Sequence, residues 1–104
     1  SSKVLVLVEQ AGCGKRSGDT WLNLKLVRGS TTIITFCTFA GYTGSTASNM
    51  IGTVSTSFLD TPSTTSQTTY KTVMSTGNTP GTHHVQEADA GAQTSTITLI
   101  EVAG

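Results

Sequence analysis

Residues Thr20 to Phe39 read TWLNLKLVRGSTTIITFCTF, and this stretch decides the fold. Its first half alternates apolar and polar residues, as a half-buried β-strand does, with three leucines on one face: Leu22, Leu24 and Leu26. Gly29 and Ser30 predict a two-residue hairpin turn, because glycine readily adopts the positive φ that such turns require. The predicted return strand carries four large apolar residues: Ile33, Ile34, Phe36 and Phe39.

Five further segments have the composition of β-strands, rich in valine, isoleucine and threonine. They are residues 3–9, 52–59, 68–76, 82–88 (the weakest) and 94–102. No segment shows the 3.6-residue period of an amphipathic helix. We therefore predict one all-β domain over residues 1–104, an antiparallel β-sandwich or jelly roll of about seven or eight strands.

The charge content argues against several classes of protein. Six basic and six acidic residues cancel, and charged residues make up 12% of the chain, about half the usual share. A nucleic-acid partner is not expected, because no basic stripe is present. No apolar run approaches the roughly 18 residues of a membrane helix, so membrane insertion is not expected either. Serine and threonine supply 33 of the 104 residues, so hydroxyls replace charges on the predicted surface.

Strand alternation predicts which loops share an end of the sandwich. If successive strands cross from end to end, the loops at residues 10–19, 40–51 and 77–81 lie at one end, which we call distal. The hairpin turn, the hydroxyl-rich run after Asp60 and the loop at residues 89–93 then lie at the proximal end. Long loops on a rigid sandwich are where binding commonly resides, so the distal loops are the predicted binding surface.

Four residues of the distal loops are the predicted ligand-binding set: Tyr42, Asn49, Lys15 and Arg16. An aromatic ring flanked by hydroxyls and amides suits sugar stacking or protein contact, although Tyr42 folding over the core is an open alternative. Trp21, at the start of a strand, is interpreted as a core or subunit-interface residue. Cys13 and Cys37 fall at the same end, and both a disulfide between them and two free thiols remain open.

No motif predicts catalysis, a metal or a cofactor. The stretch GCGKRSG at residues 12–18 lacks the spacing of a phosphate-binding loop and precedes a strand, so we interpret it as a flexible loop. His83 and His84 are adjacent and would point to opposite faces of a strand, and with Glu87 or Asp89 they match no zinc signature. We interpret them as exposed imidazoles, and we expect a protein that is not an enzyme.

The stretch SFLDTPSTTSQTTYK at residues 57–71 and the ending STITLIEV at residues 95–102 carry a family resemblance. Together with SSKVLVLV at residues 1–8 and the hairpin LVRGST at residues 26–31, they resemble the C-terminal domain of fibre and other structural proteins of tailed phages, especially marine and cyanobacterial ones. The resemblance spans nearly the whole chain, whereas the two long distal loops match no fixed pattern of the family.

The resemblance implies a jelly roll similar to tumour-necrosis-factor-like and complement-type heads, usually a homotrimer at a fibre tip. By that resemblance the domain belongs to a longer virion protein, contacts other virion proteins, and attaches to a host-surface glycan or protein. Two alternatives stay open: a capsid or tail decoration domain without a receptor, and a carbohydrate-binding module of a bacterial secreted protein. The hydroxyl-rich run would be a scaffold turn near the particle.

Overall fold

The computed structural model describes residues 2–76, 81–86 and 93–103. These residues form seven strands: β1 (Lys3–Lys15), β2 (Thr20–Arg28), β3 (Thr31–Thr43), β4 (Asn49–Asp60), β5 (Tyr70–Thr76), β6 (His83–His84) and β7 (Thr96–Val102). No helix occurs among them, and accordingly no membrane-crossing helix is found in this part of the chain. The prediction of an all-β fold of about seven strands is confirmed.

Two antiparallel sheets pack face to face as a β-sandwich. In the four-stranded sheet, β1 lies in the centre, β4 pairs with one edge, and β6 and β7 pair with the other. The three-stranded sheet has the order β3-β2-β5. The central strands β1 and β2 are covered on both edges and by the facing sheet, so they carry the most deeply buried apolar side chains. These are Val6, Val8, Cys13, Leu22, Leu24 and Leu26.

The predicted hairpin is present as expected. Arg28 pairs with Thr31 across Gly29 and Ser30, and Gly29 has a φ of 61°. The three leucines of β2 are at most 1% exposed, whereas Asn23 and Lys25 on the opposite face are only half-buried. The alternation in the sequence therefore fixes which face of β2 meets the core.

The first distal loop is shorter than the sequence predicts. Residues 10–15 continue β1 instead of forming a loop, with register shifts between Gln10 and Gly14 and a φ of 65° at Gly12. A side chain at Gly14 would meet the Asn49 carbonyl oxygen at 2.7 Å and the His84 ring at 2.8 Å. The interpretation of residues 12–18 as a flexible loop is thus wrong for residues 12–15, which are buried strand.

The second distal loop is also shorter than predicted. β3 runs on to Thr43 and β4 begins at Asn49, which leaves only residues 44–48 as the connection. The two connections at residues 16–19 and 44–48 do meet, since a side chain at Gly18 would lie 3.0 Å from the Gly44 carbonyl oxygen, and the Asp19 amide donates to the adjoining Thr43 carbonyl at 2.9 Å. The Thr82 amide joins them by donating to Ser17 Oγ at 2.9 Å. The prediction of a shared distal end is confirmed for these segments.

The predicted proximal position of the loop at residues 89–93 implies a last strand that runs toward the distal end, and this direction is wrong. β7 runs antiparallel to β1, from Thr96 beside Glu9 to Val102 beside Lys3, so it ends at the proximal end. The reason is that β6 contains only two residues, which pair with Gly14 and Lys15 and do not cross the sandwich. The described part of the predicted strand at residues 82–88 ends there, and residues 87–92 lie outside the described residues.

A polar cluster closes the proximal end at the hydroxyl loop, residues 61–69. Asp60 is 5% exposed and accepts hydrogen bonds from Arg28 Nη1 at 3.0 and 2.9 Å and from the Tyr70 hydroxyl at 2.7 Å. The Gly29 amide donates to the Thr69 carbonyl at 2.8 Å. This cluster joins β2, β4 and β5, so the hydroxyl loop is fixed at both ends.

Candidate functional site

Three aromatic rings form an exposed cluster on the outer face of the three-stranded sheet, and we call it the aromatic surface. The Phe39 ring stacks on Tyr42, with centroids 4.6 Å apart and an interplanar angle of 26°. Trp21 lies 4.6 Å from Phe39 and 5.8 Å from Tyr42. Phe39 is 54% exposed and Tyr42 is 38% exposed. A soluble domain rarely presents three adjacent rings to water unless they contact something.

A β-bulge brings Phe39 to this face. Leu22 pairs with Ala40 and Leu24 pairs with Cys37, so two residues of β3, Thr38 and Phe39, lie opposite the single residue Asn23. Phe39 has a φ of 57°, and its amide donates to Asn23 Oδ1 at 3.2 Å. A non-glycine residue in this region costs about 1 kcal/mol or more, and such costs concentrate at functional sites.

Polar groups border the rings. The Tyr42 hydroxyl donates to Asp19 Oδ1 at 3.1 Å. That hydrogen bond, and then the negative charge of Asp19, raise the pKa of Tyr42 above its usual value. Apolar ring faces beside amide, carboxylate and hydroxyl groups are suited to a sugar, which has both C–H faces and hydroxyl edges.

The buried side chain of Lys15 holds the two distal connections together by hydrogen bonds. Its side chain is fully buried, and its amine donates to the carbonyls of Ser17 at 2.9 Å, Thr43 at 3.2 Å and Thr46 at 3.0 Å. It also bonds the Thr43 hydroxyl. The amine therefore joins residues 16–19 to residues 44–48, directly next to Tyr42. Lys15 was predicted to bind ligand, and its burial gives it a structural part instead.

The other two predicted ligand residues lie apart from the rings or are already engaged. Asn49 is half-buried at the start of β4, and its side-chain amide donates to the Gly41 carbonyl at 3.1 Å, which fixes the backbone beside Tyr42. Arg16 is exposed, and its backbone amide donates to the Thr82 carbonyl at 2.9 Å. Of the four predicted residues, Tyr42 is the one that belongs to the aromatic surface.

Sequence reasoning missed two of the three rings. Trp21 is not a core residue, since it lies half-buried on the outer face next to the inward Leu22, and its interpretation as a subunit-interface residue stays a prediction. Phe39 was counted with the apolar residues of the return strand. No spacing in the sequence indicates that its ring faces outward, because the bulge opposite Asn23 decides that position.

Both cysteines are free thiols, and they pack in one apolar cluster. Burial raises the pKa of the Cys13 thiol to about 11, and burial also raises the pKa of Cys37. Cys13 Sγ donates to the Gln10 carbonyl at 3.2 Å. Of the two states left open by the sequence, the structure has the unbridged one, in which Cys13 is a buried apolar residue with little thiolate character.

The histidines were predicted to be exposed, and both are half-buried. His84 lies against Gly14, and its Nδ1 is 3.1 Å from the Gly12 carbonyl oxygen. They pair with consecutive residues of β1, so their side chains leave the strand on opposite faces. Among residues 2–76, 81–86 and 93–103 no cluster of three metal-ligating side chains occurs, and Glu87 and Asp89 lie outside these residues.

Comparisons with known proteins give no relative for this arrangement. No protein-family model, no curated protein and no solved structure matches the chain.

Proposed function

We propose that this chain is a non-enzymatic attachment module of a phage virion, a tail-fibre tip domain that binds a host-surface glycan or protein. The observation that carries the proposal is the aromatic surface of Trp21, Phe39 and Tyr42 on the outside of a rigid sheet. The family resemblance of the sequence supplies the virion context and the virion location. The aromatic surface offers a ligand exposed ring faces with polar groups beside them.

A glycan is the preferred ligand, because the rings and their neighbours offer both kinds of contact that a sugar needs. The exposed faces of Phe39 and Tyr42 can cover the C–H face of a pyranose ring. Asp19 and Asn23, which already bond atoms of the aromatic surface, can accept or donate hydrogen bonds at its edge. Such sites are individually weak, and repetition on an oligomer multiplies their effect.

An apolar row on the opposite side of the molecule supports the homotrimer. Leu5 pairs with Leu59 on one neighbouring strand and with Ile100 on the other, so the three side chains cross the outer face of the four-stranded sheet. Leu59 and Ile100 are 48% and 45% exposed. An exposed apolar row across three strands favours burial against other copies of the chain, and it leaves the aromatic surface facing outward.

The carbohydrate-binding module of a secreted protein is the second candidate, because the same aromatic surface would serve it equally well. The two differ in assembly: a fibre tip acts as a trimer with avidity, whereas such a module acts as a monomer. Nothing specific in the structure favours the decoration domain without a receptor.

Competition for adsorption tests the proposal. The purified chain should compete with phage particles for host cells, and Tyr42→Ala should compete at least tenfold less well. Val73→Ala is the matched control, since Val73 is 39% exposed on the outer face of the same sheet but has no ring. Equal competition by wild type and Tyr42→Ala, or no competition by either, would remove the aromatic surface from host attachment.

A further inference from the structure

The sandwich is closed on one side and open on the other. On the closed side, β3 packs against β4. On the open side, Ile97 and Leu99 of β7 lie on the same inner face as their partners Val8 and Val6. The two valines are 2% and 0% exposed, whereas Ile97 and Leu99 are 41% and 48% exposed. Side chains that point toward the core are therefore left uncovered along β7.

A groove follows this open side, between β7 and the strand β5 of the other sheet. Its wider part is a cavity of about 970 Å³ between Val4, Glu101 and the hydroxyl loop. An adjoining cavity of about 320 Å³ shares Val4 and Glu101 and adds Tyr70 and Leu99. Val4 and Leu99 thus give the groove apolar surface, Glu101 adds a charge beside them, and residues of the hydroxyl loop line the opposite wall. We call this feature the lateral groove.

Gln10 closes the distal end of the lateral groove. The side-chain nitrogen of Gln10 donates to Ser95 Oγ at 3.2 Å, and its side-chain oxygen Oε1 accepts a hydrogen bond from Thr72 Oγ1 at 2.7 Å. Gln10 therefore bridges β5 and the start of β7. Below this bridge, no described strand pairs with the outer edge of β7.

Within the described part of the chain, the edge of β7 lacks the features that commonly protect a sheet edge. All seven of its residues are exposed, and the sequence TITLIEV contains neither a proline nor a lysine, which commonly block pairing at sheet edges. Glu101 is the charged side chain that lines both cavities of the lateral groove. An occupant that pairs with this edge gains backbone hydrogen bonds, and one with a cation near Glu101 gains a charge-assisted contact.

We propose that the lateral groove binds an extended segment of a partner protein, which adds a strand to the edge of β7. The segment has apolar side chains at alternate positions, to cover Ile97 and Leu99, and a lysine or arginine that meets Glu101. A polypeptide fits better than a small molecule because the groove lies along a free strand edge. This inference does not depend on the aromatic surface.

A palindromic peptide tests the proposal whichever way the added strand runs. The probe is labelled Lys-Thr-Val-Thr-Val-Thr-Lys, which has the length of β7. Paired with an offset of one residue, it places its valines opposite Ile97 and Leu99 and a terminal lysine opposite Glu101 in either direction. Fluorescence anisotropy with the full chain should show saturable binding. The peptide with both lysines changed to glutamate should bind about two- to fivefold more weakly. The peptide with proline at its central position should lose binding, because it cannot complete the backbone pairing.

Variants of the chain provide the matched controls. Leu99→Ser should weaken peptide binding several-fold, whereas Val102→Ser, which changes an exposed apolar residue on the other face of β7, should not. Glu101→Lys should reverse the preference between the lysine and glutamate peptides. Binding that tolerates the central proline, that ignores Leu99→Ser, or that is absent for all the peptides would overturn the proposal. So would amide hydrogen exchange showing that the outer edge of β7 is already protected before peptide is added, as it would be beneath a second copy of the chain.

Discussion

The rings of Phe39 and Tyr42 stack 4.6 Å apart on the outer face of a sheet, and a bulge in β3 sets this arrangement. Because Phe39 has a φ of 57°, its backbone conformation is costly for any residue with a Cβ. The ring is thus held outward at the expense of local backbone strain. The bulge and the strained backbone at Phe39 are therefore the structural basis of the exposed rings on which the proposed attachment role depends.

Two substitutions at Phe39 separate the ring from the backbone. Both Phe39→Gly and Phe39→Ala remove the ring, and both should abolish glycan binding. Phe39→Gly should be more stable than Phe39→Ala by about 1 kcal/mol, because glycine adopts a positive φ without the Cβ clash. Urea unfolding measures the difference. Equal stabilities would show that the bulge carries no strain.

Lys15 should be essential to the distal end. Lys15→Met removes the amine and leaves the Ser17, Thr43 and Thr46 carbonyls without that donor, so we expect a loss of about 3 kcal/mol. Amide hydrogen exchange should quicken in residues 16–19 and 44–48 before the rest of the sheet. Lys71→Met is the control, since Lys71 is exposed and its loss should stay within about 0.5 kcal/mol. Similar losses of stability for Lys15→Met and Lys71→Met would show that the Lys15 amine does not hold the distal connections together.

Tyr70 should make stability fall at alkaline pH. Burial, and then its hydrogen bond to Asp60, raise the pKa of Tyr70 to about 12, above the value of about 10 in an unfolded chain. The folded state keeps the proton longer, so stability falls as the pH rises from about 10 to 12. Tyr70→Phe should cost about 1 kcal/mol at pH 8, and its deficit relative to wild type should shrink toward pH 12. Urea unfolding across this range measures both, and a constant deficit would contradict the assignment.

The outer row of the four-stranded sheet should control assembly. Leu59→Asp places a charge in the row formed with Leu5 and Ile100, and it should convert a trimer into monomers in sedimentation velocity. Val73→Asp places the same charge on the other sheet and should leave the trimer intact. A wild-type chain that sediments as a monomer at high concentration would favour the carbohydrate-binding module over the fibre tip.

The sequence predicted those elements whose signals are local. The β2–β3 hairpin follows from the alternating leucines and Gly29, and the break after β4 follows from Pro62. The extension of β1 to Lys15 could not be predicted, because Ala11 to Gly14 have weak strand propensity and are held by packing against β4 and β6. The direction of β7 could not be predicted either, because strand alternation assumed that residues 82–88 cross the sandwich. β6 contains only two residues and pairs with Gly14 and Lys15 at the distal end.

The candidate site was predicted only in part. Tyr42 stood out because hydroxyls and amides surround it in the sequence. Trp21 and Phe39 join it through pairings between β2 and β3, and the bulge opposite Asn23 decides that Phe39 faces outward. No short-range pattern encodes that choice. The burial of Lys15 likewise depends on Thr43 and Thr46, which lie 28 and 31 residues away in the sequence.

The fluorescence of Trp21 tests the central claim most directly, because it is the single tryptophan of the chain and lies within the aromatic surface. Host-surface glycans should be titrated into wild type, Phe39→Gly and Val73→Ala. The account predicts a saturable change in Trp21 emission for wild type and Val73→Ala and none for Phe39→Gly. Glycan binding that leaves Trp21 emission unchanged, or that persists in Phe39→Gly, would contradict it.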